Sequence, residues 1–407
     1  MSTGEAGGSA AAPKHCLTNV FSAFLRLGLT SFGGPVAHLG YFHTEFVSRR
    51  KWIGERDYAD LVALCQFLPG PASSQVGIAI GIQRAGLAGG LVAWLAFTAP
   101  SALLLTAFAY GTIALGDAVS QEWLHGLKVV AVAVVAQAVW SMARASAADV
   151  PRAAIAVIAA GVVLVSPTPL VQVAVILAGA AVGWLFLRAP PPQAGPPPRF
   201  PGGKRRSLVA LSIFALLLIG LPILAAAFPN QTLTLISSFY RTGSLVFGGG
   251  HVVLPLLQSE VVSPDWVSED RFLAGYGAAQ AVPGPLFAFA AYLGTVMQQP
   301  PNGWAGALIC LAAIYLPSFL LVYGSLPIWD SLRRHKAMQS ASLGINSAVV
   351  GLLLAALYDP VWTSAIRSVA DLGLAAAAFL MLALWKLPPW LVVIVAAAGG
   401  AGIAALQ

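Results

Sequence analysis

Two arginines stand in otherwise apolar stretches, Arg26 and Arg241, and each is followed six residues later by a Phe-Gly-Gly motif, Phe32-Gly33-Gly34-Pro35 and Phe247-Gly248-Gly249-Gly250. A charge in a segment apolar enough for a membrane is costly and by default marks a functional position. A guanidinium offers planar, bidentate donors, so the pair is suited to converge on an oxyanion. The plainer reading is that each arginine reaches a lipid headgroup or pairs with an acid, Glu45 in one case and Glu260 in the other. Those two carboxylates are in turn candidates for proton coupling or helix-end charges. Glycine runs let backbone approach a ligand or another helix closely.

A second motif is Pro-Gly-Pro, at Pro69-Gly70-Pro71 and again at Pro283-Gly284-Pro285, with Gln66 and Gln280 three residues ahead. Two prolines remove donors and the glycine permits a turn, so both helices must break there. After the first break comes Ala72-Ser73-Ser74-Gln75, a helix start with free N–H groups, a positive dipole end and two hydroxyls, which is a ready anion site. The second reads Leu286-Phe287-Ala288-Phe289 and lacks the hydroxyls, which assigns the two halves different work. His251 stands where the first copy has Val36 and is a candidate to carry a proton, or simply a packing residue.

These motifs belong to an internal repeat. At an offset of 215, Arg26, Gly28, Phe32-Gly33-Gly34 and Glu45 fall on Arg241, Gly243, Phe247-Gly248-Gly249 and Glu260. At 214, Trp52, Glu55, Gln66 and Pro69-Gly70-Pro71 fall on Trp266, Glu269, Gln280 and Pro283-Gly284-Pro285. Further on, Pro100-Ser101 matches Pro317-Ser318. The elements that must carry them are membrane helices. Of 407 residues, 58% are apolar and 9% charged, against about 25% charged in a soluble domain, and the balance of 22 Lys+Arg and 15 Asp+Glu gives +7. The expected fold is an all-α polytopic membrane protein with two inverted-topology repeats, broken or re-entrant helices at the Pro-Gly-Pro motifs, and about 10 to 13 membrane segments.

The domain reading is a cytoplasmic tail at 1–16, a first repeat at 17–187, a Pro-rich basic linker at 188–206, an extra helix at 207–228 that inverts the second copy, and a second repeat at 232–407. The charges support the inversion: Arg49, Arg50, Lys51 and Arg56 follow the first Phe-Gly-Gly, whereas Glu260, Asp265, Glu269 and Asp270 follow the second. Farther along the signs swap again, with Asp117 and Glu122 in copy one against Arg333, Arg334 and Lys336 in copy two. If 58–82 enters and leaves on one side, the basic clusters and the linker share the cytoplasmic face. Cys16, Cys65 and Cys310 are too few and too scattered for a disulfide framework or a metal site. No P-loop, His-Glu-x-x-His or Cys-x-x-Cys is present, so no cofactor or metal is expected and energy must come from an ion gradient, the membrane potential or a partner.

The paired Phe-Gly-Gly and Pro-Gly-Pro motifs resemble those of the chromate ion transporter family in its long form with two homologous halves. The resemblance covers about 20 to 406. It implies a secondary transporter, not an enzyme, in a bacterial inner membrane, exporting chromate and so conferring chromate resistance, with sulfate as a competitor. Uptake or exchange of sulfate or another oxyanion is the competing reading; a non-transport membrane scaffold or enzyme is a third. Membrane lipids are expected partners, nucleic acid is not, and glycine-rich helix faces allow a homodimer.

Overall fold

The fold comes from a computed structural model that describes residues 14–115, 121–188, 203–329 and 335–405. Every regular element among them is helical. Residues 1–13 of the tail, most of the linker, Asp117, Arg333 and Arg334 lie outside the described residues, as do the side chains of Cys16 and Glu122.

The first repeat opens with α1 (Lys14–Thr30) and α2 (Gly34–Phe42), the latter continuing as a π-helical turn over His43–Arg49. Gly33 and Gly34 separate them with φ of +96° and +78°, backbone that only glycine adopts without strain. The chain therefore turns back. Phe24 before the break packs against Phe42 and Phe46 after it, with ring centroids 5.7 and 4.8 Å apart, so the two helices are arms of one hairpin.

The next hairpin is α3 (Glu55–Phe67) and the first arm of α4 (Ala72–Leu115), joined by Pro69-Gly70-Pro71. Its return is re-entrant. Arg50, just ahead of α3, and Arg84, at the end of the returning arm, both lie over the ring of Trp52, at 5.2 and 4.9 Å from its centroid. Both ends of the hairpin thus reach one face. The chain then reverses at Ala85-Gly86, and the second arm of α4 runs the full depth. Gly81 and Gly89 touch backbone to backbone across this turn, where any side chain would force the arms apart.

The second repeat follows the same plan: α9 (Gln231–Leu245) and α10 (Val253–Val261), α11 (Glu269–Ala279) and α12 (Phe289–Val296), then the crossing helix α13 (Gly303–Ser325). Its hairpin mouth is closed by the Gln298 N–H donating to the Trp266 carbonyl at 3.0 Å, the counterpart of the Arg84–Trp52 contact, and by the Tyr292 hydroxyl donating to the Arg271 carbonyl. The mouths face opposite ways. Tyr110, near the far end of α4, accepts from the N–H of Trp304 at the start of α13, so the two crossing helices run antiparallel and each mouth lies at the end where its own crossing helix begins. The preceding α8 (Lys204–Ala227) starts beside the end of α13, where Ser207 donates to the Gly324 carbonyl.

The remaining helices clasp these cores: α5 (Gln121–Ser146), α6 (Val150–Val165) and α7 (Pro169–Phe186) in one repeat, α14 (Lys336–Ala356), α15 (Val369–Ala383) and α16 (Pro389–Ala405) in the other. α14 packs on α6 and α7, and α5 packs on α15 and α16, so each repeat lends its fourth long helix to the other. Six helices among the described residues are long and apolar enough to cross a membrane. The hairpin arms other than α1 have 8 to 15 residues and fall short of a crossing alone.

Two predictions follow from this geometry. Single cysteines at Lys51 and Gln83 should label from one membrane face and a cysteine at Gln298 from the other, in a background lacking the native thiols. Gly70→Ala and Gly284→Ala should each cost about 1–3 kcal/mol, because φ there is +124° and +105° and an added Cβ would lie 2.8 Å from Ser318 Oγ or 2.9 Å from Ser101 Oγ. Gly111→Ala, with open space around it, should not destabilise; heating followed by size-exclusion profiles in detergent ranks the three.

Candidate functional site

The hairpin tips meet at the centre in a crosswise manner. The N–H of Gly70, in the first Pro-Gly-Pro, donates at 2.6 Å to the carbonyl of Val246, which precedes the second Phe-Gly-Gly. In return the N–H of Gly284 donates at 2.8 Å to the carbonyl of Ser31, which precedes the first. Each Pro-Gly-Pro of one repeat thus closes the Phe-Gly-Gly break of the other. The mid-helix serines complete the exchange, Ser318 against Gly70 and Ser101 against Gly284. The two glycine loops also approach each other, with Gly250 against Pro35 and His251 Nε2 at the edge of Gly34. Pro69, Pro71, Pro283 and Pro285 frame this centre, and Gly33, Gly34, Gly248 and Gly249 keep some exposure beside it.

The first repeat's side is polar. Buried His38, four residues after the first glycine pair, uses Nε2 toward the Ser31 carbonyl at 3.2 Å and Nδ1 toward Ser73 Oγ at 3.4 Å. Since a carbonyl only accepts, Nε2 carries the proton and the neutral ring accepts from Ser73 through Nδ1. Ser73 is therefore occupied, whereas the buried Ser74 hydroxyl has no partner among the described residues. Gln75 donates to the Pro69 carbonyl at 2.6 Å and holds the turn shut. The second repeat puts Phe287 and Ala288 in the equivalent places, as the missing hydroxyls foreshadowed.

Other sequence candidates lie elsewhere. Arg241 is committed to Glu260 through Nε and Nη2, at 2.5–2.8 Å, tying α9 to α10. Glu45, its counterpart, pairs with Arg49 and Arg50 instead of Arg26. Arg26 is exposed on α1, with no ion pair among the described residues. The structure does not direct the two guanidiniums into the centre; the plainer alternative of an acid partner is the one it shows for Arg241. Gln66 is exposed, while Gln280 buries an amide nitrogen that has no acceptor among the described residues. His251 pairs through Nδ1 with the Tyr276 hydroxyl at 2.9 Å. The sequence motifs do not mark His38, whose matched position holds Val253, and they contain Gln75 without any sign of its bond to the Pro69 carbonyl. Among the described residues no group of acids, histidines and cysteines could hold a metal, and Cys65 and Cys310 are buried thiols.

Arg241→Gln should strand the buried Glu260 and cost about 3–5 kcal/mol. Arg241→Gln combined with Glu260→Gln should recover most of that loss, and Arg26→Gln should leave the melting temperature unchanged; thermal melts of the purified proteins check all three.

The profile of the chromate transporter family matches residues 18–184 and 233–403. The chain is 28% identical to a chromate transport protein of Cupriavidus metallidurans over 94% of this chain and 91% of that one. It is 26% identical to a chromate transport protein of Pseudomonas aeruginosa, covering 98% and 94%, and 26% identical to a probable chromate transport protein of Synechococcus elongatus, covering 85% and 84%. No solved structure matches the chain. The doubled match falls on the two halves that exchange their hairpin tips, and the chain belongs to the chromate transporter family.

Proposed function

We propose that this chain is a secondary transporter that exports chromate across a bacterial inner membrane, and that it is not an enzyme. The observation that carries the reading is the start of α4: a helix N-terminus at membrane depth, carrying the buried Ser73 and Ser74 hydroxyls and enclosed by both repeats. Non-helical backbone at that depth is tolerated where protein encloses it, and two such breaks back to back leave a polar centre that lipid does not reach. The named relatives, chromate transport proteins over nearly their whole length, supply the substrate class.

Direction follows from charge. Arg50, Arg84, Arg205 and Arg206 gather at the first repeat's mouth, and an excess of basic residues marks the cytoplasmic side. At the other mouth stand Glu269 and Asp270, the latter holding Lys128 at 2.8 Å. The 188–206 linker and the tail at 1–16 are then cytoplasmic. An inside-negative potential expels a dianion with roughly 2.3 kcal/mol per charge per 100 mV, so export needs no coupled proton.

In this mechanism the α4 N-terminus holds the oxyanion, and the interlocked tips let one repeat rock against the other so that the centre opens to either mouth in turn. The Gly33-Gly34 and Gly248-Gly249-Gly250 loops, with His251, form the moving contact. Arg26 attracts anions at the surface, and Arg241 with Glu260 keeps its hairpin rigid. A homodimer is the expected assembly, formed through helix faces that stay open outside the two repeats.

Everted vesicles containing the chain should accumulate labelled chromate when energised, excess sulfate should compete, and Ser74→Ala should lower the initial rate about tenfold. Accumulation only in right-side-out vesicles would make the chain an uptake system; rates matching empty vesicles in both orientations would end the transport reading.

A further inference from the structure

The antiparallel crossing of α4 and α13 brings repeat-matched positions face to face. Thr98 and Tyr315 share the offset of 217 that relates Pro100-Ser101 to Pro317-Ser318, and each stands one turn before the serine that touches the other pair's apex glycine. The Tyr315 phenol lies against the hydroxyls of Ser74 and Thr98. All three residues are 3% exposed or less, and beyond one another's reach none of the three oxygens has a well-formed hydrogen bond among the described residues. Trp94 packs its ring 5.4 Å from Tyr315, and its indole N–H is buried without an acceptor among the described residues. Phe287, the second repeat's counterpart of Ser73, closes the other side of the phenol at 5.7 Å.

Buried polar atoms without partners are rare because leaving them unmade is costly. Nearby hydroxyls show how cheaply a partner is found: Ser101 donates to the Thr98 carbonyl and Ser73 is matched to His38. Three buried hydroxyls with no well-formed partner outside their own cluster therefore meet at the point where the repeats cross, with the Trp94 ring packed beside them. Donors with no facing carboxylate suit a ligand that only accepts, and a fully ionised tetrahedral oxyanion does only that. We propose that Ser74, Thr98 and Tyr315 form the occluded seat of the oxyanion, with Thr98 and Tyr315, one from each repeat, as specificity-determining residues that the family motifs do not mark. The inference rests on the transport reading and extends it. Because this seat is shut off from both mouths, it fills only when α4 and α13 part, which couples binding to movement of one repeat on the other.

The test uses the full-length purified chain with potassium chromate, potassium sulfate and potassium chloride as separate titrants, read by calorimetry and thermal melts. Tyr315→Phe and Thr98→Val should each weaken chromate binding about tenfold or more. Without ligand each should melt at or above the wild-type temperature, since the removed hydroxyl had no partner to lose. Thr98→Ser should bind like wild type, because it keeps the donor. Variants that bind chromate as wild type does, or a Thr98→Ser that fails to restore binding, would overturn the seat. So would a lower melting temperature with unchanged affinity, the mark of hydroxyls that serve the fold through a trapped water. Wild-type protein that binds and moves neither oxyanion would instead overturn the transport reading, and this inference with it.

Discussion

A helix that breaks at membrane depth frees backbone N–H and C=O groups that hydrocarbon cannot satisfy. This chain breaks four helices there and settles the groups by exchange: Gly70 with Val246 and Gly284 with Ser31. Neither repeat can close its own tips. The antiparallel crossing of α4 and α13, the opposed mouths and the helix swap of α5 and α14 all follow from bringing each Pro-Gly-Pro beneath the other repeat's glycine loop.

Exchange of this kind makes a symmetric frame, and the side chains placed on it are deliberately unequal. One wall of the centre carries His38, Ser73, Ser74 and Gln75, the other Phe287, Ala288 and Phe289. A dianion bound between two identical polar walls would have two equivalent seats; a polar wall against an apolar one leaves a single seat. The arginines follow the same division. Arg241 locks its hairpin through Glu260, whereas Arg26 stays on the surface and Glu45 turns to Arg49 and Arg50.

Much of this was legible in the residues. The repeat, the re-entrant turn of 58–82, the loss of hydroxyls after Pro285 and the helix start at Ala72 all come from composition and spacing, because glycine, proline and charge are restricted by local physics. What spacing could not give was the partner across the molecule. Arg26 and Arg241 occupy identical positions in the repeat, yet one is exposed and the other bonded, a difference set by whether Glu45 or Glu260 finds a nearer cation. The reversals at Gly33-Gly34 and Gly248-Gly249 were hidden as well, since hydropathy counts residues without reading φ. Thr98 and Tyr315 were hidden for another reason: they differ in type, and only the offset of the neighbouring Pro-Ser pair places them together.

The crossed backbone bonds also set an order for biogenesis. Gly70 leaves the ribosome 176 residues before Val246, its acceptor, and the Ser31 carbonyl waits still longer for Gly284. Throughout that interval the first repeat holds an unfinished polar tip that lipid will not accept, so it must remain shielded by the insertion machinery or at the membrane surface until the second repeat arrives. Made as separate polypeptides, the halves would face the same need, and neither would be a finished membrane protein before meeting the other.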